Sequence, residues 1–186
     1  MIMVDPDGKD AIYIVFPEYL INISGRNLPY LGHAGVLLID NKTGLTKYYE
    51  YGRYDKENKG IVRNPKIPNV KIGEDGNPTT ESLNAVLEVI SNKSGRNGKI
   101  SGAYIKSDEF SSMNDYAQKE MKENSNPDRK EYSPINKNCA TFATDVISQD
   151  SAVKARLPKL SSPIPTMRIQ QYRQKFEPIE YHPKKK

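Results

Sequence analysis

His33-Ala34-Gly35-Val36-Leu37-Leu38-Ile39-Asp40-Asn41-Lys42-Thr43-Gly44 runs into Leu45-Thr46-Lys47-Tyr48-Tyr49-Glu50-Tyr51-Gly52, and the two halves read as the strands of a β-hairpin. Asp40 to Gly44 has the chemistry of a type I turn closed by a left-handed glycine, which pairs Asp40 with Leu45. In that register Gly35 faces Glu50 and His33 faces Gly52. Cross-strand partners share a face, so Glu50 is expected diagonally beside His33, within reach of a long side chain. The neighbouring glycines are expected to leave room for the imidazole, for Glu50 and for a substrate. Asp40 points to the opposite face, and a one-residue slip in the turn would exchange the two carboxylates.

Upstream, Ala11 to Phe16 is β-branched and aromatic, ends at Pro17, and reads as a buried strand. Tyr19 to Ser24 is ambiguous in pattern, and Gly25 to Pro29 reads as a loop. Downstream, Ile61-Val62-Arg63 and Val70-Lys71-Ile72 are expected to extend the sheet as short or edge pieces, separated by Pro65 and Pro68. Thr79 or Thr80 caps a helix with apolar positions Leu83, Val86, Leu87 and Ile90, and Gly95 to Gly98 ends it. Ile100 to Ile105 reads as another strand. Ser107 or Asp108 is expected to cap a second helix carrying Phe110, Met113, Tyr116, Ala117 and Met121, followed by a polar linker over Glu123 to Arg129. A third helix begins at Asn138 and buries Phe142, Ala143, Val146 and Ile147 on one stripe. Leu157 to Pro165 reads as an extended connector, and Ile164 to Phe176 as a last helix. Strands first, with helices interleaved and after, predict an α+β fold with a mainly antiparallel sheet.

A chain of 186 residues is long enough for one hydrophobic core. Its mean hydropathy of -0.73 is low, but twelve tyrosines add amphipathic rings. The single cysteine excludes an internal disulfide, and two histidines make a structural zinc site improbable. Met1 to Asp10 lacks the basic segment and apolar run of a secretory signal, and no apolar run nears the ~18 residues of a membrane span. A chain made in the cytoplasm, with no stable membrane insertion, is expected. The net charge of +5 favours an anionic partner such as cell-wall polymer, acidic protein or nucleic acid. A nucleic-acid module would gather Lys and Arg on one face with exposed aromatics, whereas here the charges are dispersed and the tyrosines fall mainly in strands. Nucleic acid is therefore not expected as a partner.

The lone cysteine, Cys139, follows Asn138 at the start of the third helix. A cysteine in that first turn is acidified by unpaired backbone amides and the helix dipole, and the same amides can hold an oxyanion. Taken alone, Cys139 reads as a small buried hydrophobe and His33 as a strand-end histidine bonded to backbone. Together they form a nucleophile and its base, with Glu50 as the group that fixes the imidazole. Alternatively, Glu50 is a surface carboxylate paired with Lys47 or Arg53.

The segments Gly32-His33-Ala34-Gly35-Val36-Leu37-Leu38-Ile39 and Asn138-Cys139-Ala140-Thr141-Phe142 resemble the papain-like NlpC superfamily in its circularly permuted branch, where the histidine strand precedes the cysteine helix. The second is similar to the Asn-Cys-x-x-Phe signature of lecithin:retinol-acyltransferase-like members. With Tyr48-Tyr49-Glu50-Tyr51-Gly52-Arg53-Tyr54, the pattern resembles bacterial amidase effectors of type VI secretion. That resemblance implies a papain-like catalytic domain over 1–150, with Cys139 as nucleophile and His33 as base. Residues 151–186 are left as a Pro-rich connector, short helix and basic tail packed on the domain or trailing from it. It also implies cleavage of peptidoglycan peptides in the periplasm of a rival cell, a secretion apparatus component as partner, and a cognate immunity protein in the producer. No metal or organic cofactor is needed for such chemistry. Two other readings are an acyltransferase, thioesterase or deamidase acting on lipid or protein, and a non-enzymatic basic binding module.

Overall fold

The computed structural model describes residues 8–23, 26–55 and 59–184. Its centre is the hairpin of β4 (His33–Asp40) and β5 (Leu45–Gly52), paired antiparallel from Asp40–Leu45 to Gly35–Glu50. Gly44 takes φ +75°, and its N–H donates to the Asp40 carbonyl at 2.7 Å, as the turn chemistry requires. The Asp40 carboxylate is used inside that turn, accepting from the Lys42 N–H and the Thr43 hydroxyl. It is thereby separated from His33.

Four further strands complete the sheet: β1 (Ala11–Phe16), β6 (Ile61–Arg63), β7 (Ile100–Ile105) and β8 (Glu177–Tyr181). Their order is β6-β5-β4-β1-β7-β8, all antiparallel. The sheet has helices on both faces, so its central strands are apolar throughout and divide their side chains by alternation. Tyr13, Val15, Val36, Leu38 and Tyr49 pack with α2 (Phe110–Lys122), α3 (Cys139–Ile147) and α5 (Pro165–Arg173). Ile12, Ile14, Leu37, Ile39 and Tyr48 pack with α1 (Thr80–Ser94). Each such aliphatic side chain contributes about 1.5–3 kcal/mol by leaving water, which makes the two layers the main source of stability.

Several expectations are corrected. Arg26–Leu28 is not loop: as β3 it pairs with β2 (Ile21–Ile23) in a small ribbon, while Ser24 and Gly25 lie outside the described residues. Cross-strand pairing there outweighs the loop-like composition. Val70 to Ile72 does not join the sheet. It makes one bridge, Ile72 to Pro78, and the Val70 N–H donates to Gly44, because Pro65 and Pro68 just before it interrupt the ladder that Ile61–Arg63 begins. The second helix starts at Phe110, and neither Ser107 nor Asp108 caps it. The Ser107 hydroxyl instead donates to Asp150 at 2.6 Å, a partner 43 positions away. Two elements carry no readable pattern in sequence: α4 (Ser151–Arg156), capped by Asp150, and the edge strand β8, whose pairing β7 supplies.

Candidate active site

Helix α3 begins where the sequence places it, with Asn138 as N-cap and Cys139 as the first helical residue. The Asn138 side-chain oxygen Oδ1 accepts from the N–H groups of Ala140 at 2.8 Å and Thr141 at 3.0 Å, and the Thr141 hydroxyl accepts from the Asn138 N–H. This reciprocal cap is worth about 1 kcal/mol and fixes the first turn in place. The Asn138 amide group also donates to the carbonyls of Pro134 at 2.6 Å and Pro163 at 3.2 Å, tying down the two loops that flank the thiol.

His33 opens β4, opposite Phe16 at the end of β1. Its Nε2 lies 3.0 Å from Glu50 Oε2 and 3.0 Å from the Tyr54 hydroxyl. The imidazole also lies close enough to the Cys139 thiol for the two to stabilise each other's charged forms. With Nε2 occupied, Nδ1 is the ring nitrogen left for sulfur. Glu50 is wholly buried, and Arg63 Nη1 lies 3.3 Å from its other oxygen, which accepts no hydrogen bond of good geometry. The register reading thus places Glu50 beside His33, and the structure brings Cys139, His33 and Glu50 into one contiguous chain of contacts.

The glycines make room for something other than substrate. A Cβ on Gly35 would stand 2.2 Å from the Tyr48 hydroxyl, and one on Gly52 would stand 2.8 Å from the Tyr54 ring. The hairpin therefore uses glycine to lay two tyrosines against the carboxylate and the imidazole. Tyr48 donates to Glu50 at 3.3 Å, and burial raises the pKa of Tyr54 so that it stays neutral. Sequence reasoning assigned neither residue a role. It also passed over Arg63 and Tyr132, the second of which borders the same cleft as Cys139 and interacts with it electrostatically. The Tyr-rich run after His33 was a usable signal for Tyr54, whereas Tyr132 follows a polar linker with no pattern around it.

Electrostatics favour a charged pair. Burial works against the imidazolium, but the thiolate and Glu50 outweigh it and raise His33 to about 10. Burial likewise pushes the Cys139 thiol up, and the His33 imidazolium pushes it further down, aided by the N–H groups of Ala34 and Ala140. Glu50 follows the same rule: desolvation raises it, while His33 and Arg63 bring it below the ordinary carboxylate value. Thiolate, imidazolium and carboxylate are mutually stabilising. Beside the sulfur lies an apolar cleft of about 230 Å³, bordered by Leu31, Pro134, Ile135 and Ile164. Among the described residues, no group of three His, Cys, Asp or Glu side chains is arranged to hold a metal ion, and no helix is long and apolar enough to cross a membrane.

Fold and site define a class: an α+β protein whose buried cysteine, at a helix start, faces a histidine on the central strand of an antiparallel sheet. A family model described as type VI secretion system effector TseH-like matches residues 9–155. The crystal structure of the type VI secretion system effector TseH matches with 35% identity and a TM-score of 0.82, covering 95% of this chain and 93% of that one. A comparison with curated proteins gives no match. The chain belongs to the TseH-like family of type VI secretion system effectors.

Proposed function

We propose that this effector is a cysteine hydrolase that cleaves amide bonds in peptidoglycan peptides after delivery to the periplasm of a target bacterium. The carrying observation is the relay from Cys139 through the imidazole of His33 to Glu50, with 3.0 Å between His33 Nε2 and Glu50 Oε2. In this reading the Cys139 thiolate attacks the amide carbonyl, and the resulting oxyanion is held by the Cys139 N–H and the Tyr132 hydroxyl. His33 donates its Nδ1 proton to the leaving amine as the C–N bond breaks, leaving a thioester. It then takes a proton from water, which attacks the thioester carbonyl and releases the acid, restoring the thiolate and imidazolium. Glu50 orients the ring and stabilises its charged form.

This arrangement supports the resemblance to the permuted NlpC branch. Peptidoglycan is favoured as substrate by the net positive charge and by membership of an effector family aimed at other cells. A cognate immunity protein and a docking component of the secretion apparatus complete the proposed set of partners. The apolar cleft beside Cys139 favours one alternative, thiol-dependent acyl transfer or thioester hydrolysis. Purified protein and Cys139→Ala are incubated with peptidoglycan and the fragments chromatographed. New amine termini absent from the mutant support the amidase. Equal inactivity across wall chemotypes, with Cys139-dependent turnover of acyl thioesters, replaces it with the alternative.

A further inference from the structure

The reactive centre sits between two compartments of unlike chemistry. The one containing Cys139 is the apolar cleft of Leu31, Pro134, Ile135 and Ile164. The one containing His33, of about 420 Å³, is bordered by Tyr19, Tyr54, Arg53 and Arg96. Ile21, Arg53 and Tyr132 border both and form the divide. Among the described residues no carboxylate lines the His33 compartment, since Glu50 lies behind the imidazole and is engaged by His33 and Arg63.

Reaction geometry assigns an occupant to each side. In amide cleavage by a thiolate the acyl carbon ends on sulfur, so the acyl half lies in the Cys139 compartment. The nitrogen is protonated by the imidazole, so the amine half lies in the His33 compartment. There the aligned groups are His33, then the Tyr19 ring with its centroid 5.2 Å from that of His33, then the Arg96 guanidinium 4.2 Å from the Tyr19 centroid. Arg96 stands in the turn after α1, which the sequence marks only as a helix stop. Its φ of +55° is a left-handed conformation that costs a non-glycine residue about 1–2 kcal/mol, so a glycine would be the better choice on backbone grounds alone. A strained arginine aimed over an aromatic ring into a cleft is the sort of outlier that a binding role explains.

Building on the hydrolase reading, we infer that Arg96 is a specificity residue that binds a carboxylate on the amine half of the scissile amide. The preferred substrate is thus an amide whose acyl half is apolar or small near the carbonyl and whose amine half is an amino acid with a free carboxylate. The test uses two synthetic amides with the same acyl half, differing only in whether the amine-half residue carries a carboxylate or the corresponding carboxamide. A charge-assisted hydrogen bond predicts that kcat/KM favours the carboxylate by about 10- to 100-fold. That ratio falls to near one in Arg96→Gln and is partly restored in Arg96→Lys. Calorimetric binding of the two free amine products to Cys139→Ala reads the same preference without turnover. No cleavage of either amide, with carboxylate preference kept in the binding assay, overturns the hydrolase reading and leaves the compartment standing. Equal kcat/KM for both amides, or a preference unchanged in Arg96→Gln, overturns the role of Arg96 while the hydrolase reading survives.

Discussion

Glu50 and Asp10 are both carboxylates with no exposed surface, and their surroundings are of opposite kinds. Asp10 stands just before β1 and is surrounded by donors. One oxygen accepts from Asn41 at 2.7 Å, Tyr104 at 2.5 Å and Lys106 at 2.9 Å, and the other from the Ser107 N–H at 3.4 Å. None of those partners borders the Cys139 cleft or the His33 compartment, so the cluster lies apart from the reactive centre. Glu50 also has a cation and a tyrosine, but its third partner is an imidazole whose other edge meets a thiol. Burial and charge alone do not distinguish a structural carboxylate from a functional one. What distinguishes them is whether the network ends on a nucleophile and its base, as it does for Glu50 through His33 and Cys139.

The comparison can be broken from either side. The largest effect is expected at the end of the Glu50 relay: Cys139→Ala lowers amide hydrolysis by at least about a thousandfold, with a circular dichroism spectrum like that of the parent. Next, Glu50→Gln lowers kcat/KM by about a hundredfold by misorienting the base, and Asp10→Asn leaves turnover per folded molecule at the parent level. A comparable loss of turnover in Asp10→Asn would remove the distinction. The reverse holds for stability. Asp10→Ala strands Asn41, Tyr104 and the Ser107 N–H without their acceptor, and urea denaturation should show a loss of about 2–4 kcal/mol.

A pH profile sharpens the same contrast. The reactive form is thiolate with imidazolium, so kcat/KM falls at low pH as the sulfur gains a proton, on a limb below the ordinary thiol value of 9.0. It falls again at high pH as His33 loses its proton, near 10. In Glu50→Gln one of the two anions that hold the imidazolium is gone, and the upper limb moves to lower pH. For stability the sign is the same at the upper end. The His33 contribution is complete below the unfolded value of about 6.5 and is lost as pH rises through about 10, whereas that of Glu50 is lost as pH falls through its depressed value. The smallest effect is expected from Tyr48→Phe, which removes a 3.3 Å bond to Glu50 and should cost about 1 kcal/mol in denaturant unfolding.

The sequence by itself determined the parts governed by local rules. A two-residue alternation and a turn ending in a left-handed glycine set the β4–β5 register, and that register puts Glu50 on the face of His33. A capping asparagine followed by a 3.6-residue apolar stripe set the start of α3, and so put Cys139 at its first turn. Tertiary structure alone decided what those rules do not reach. Tyr132 joins Cys139 at one cleft from a loop without periodicity, and β8 joins the sheet through a pairing 77 positions distant between Gly102 and Ile179. Arg96 reaches the cleft because the strained turn that ends α1 and the ring of Tyr19, from two segments far apart in the chain, converge there. Alternation and capping act between neighbours in the chain and leave a periodic trace. Contacts among loops arise from packing of elements already formed, and no short-range pattern records them.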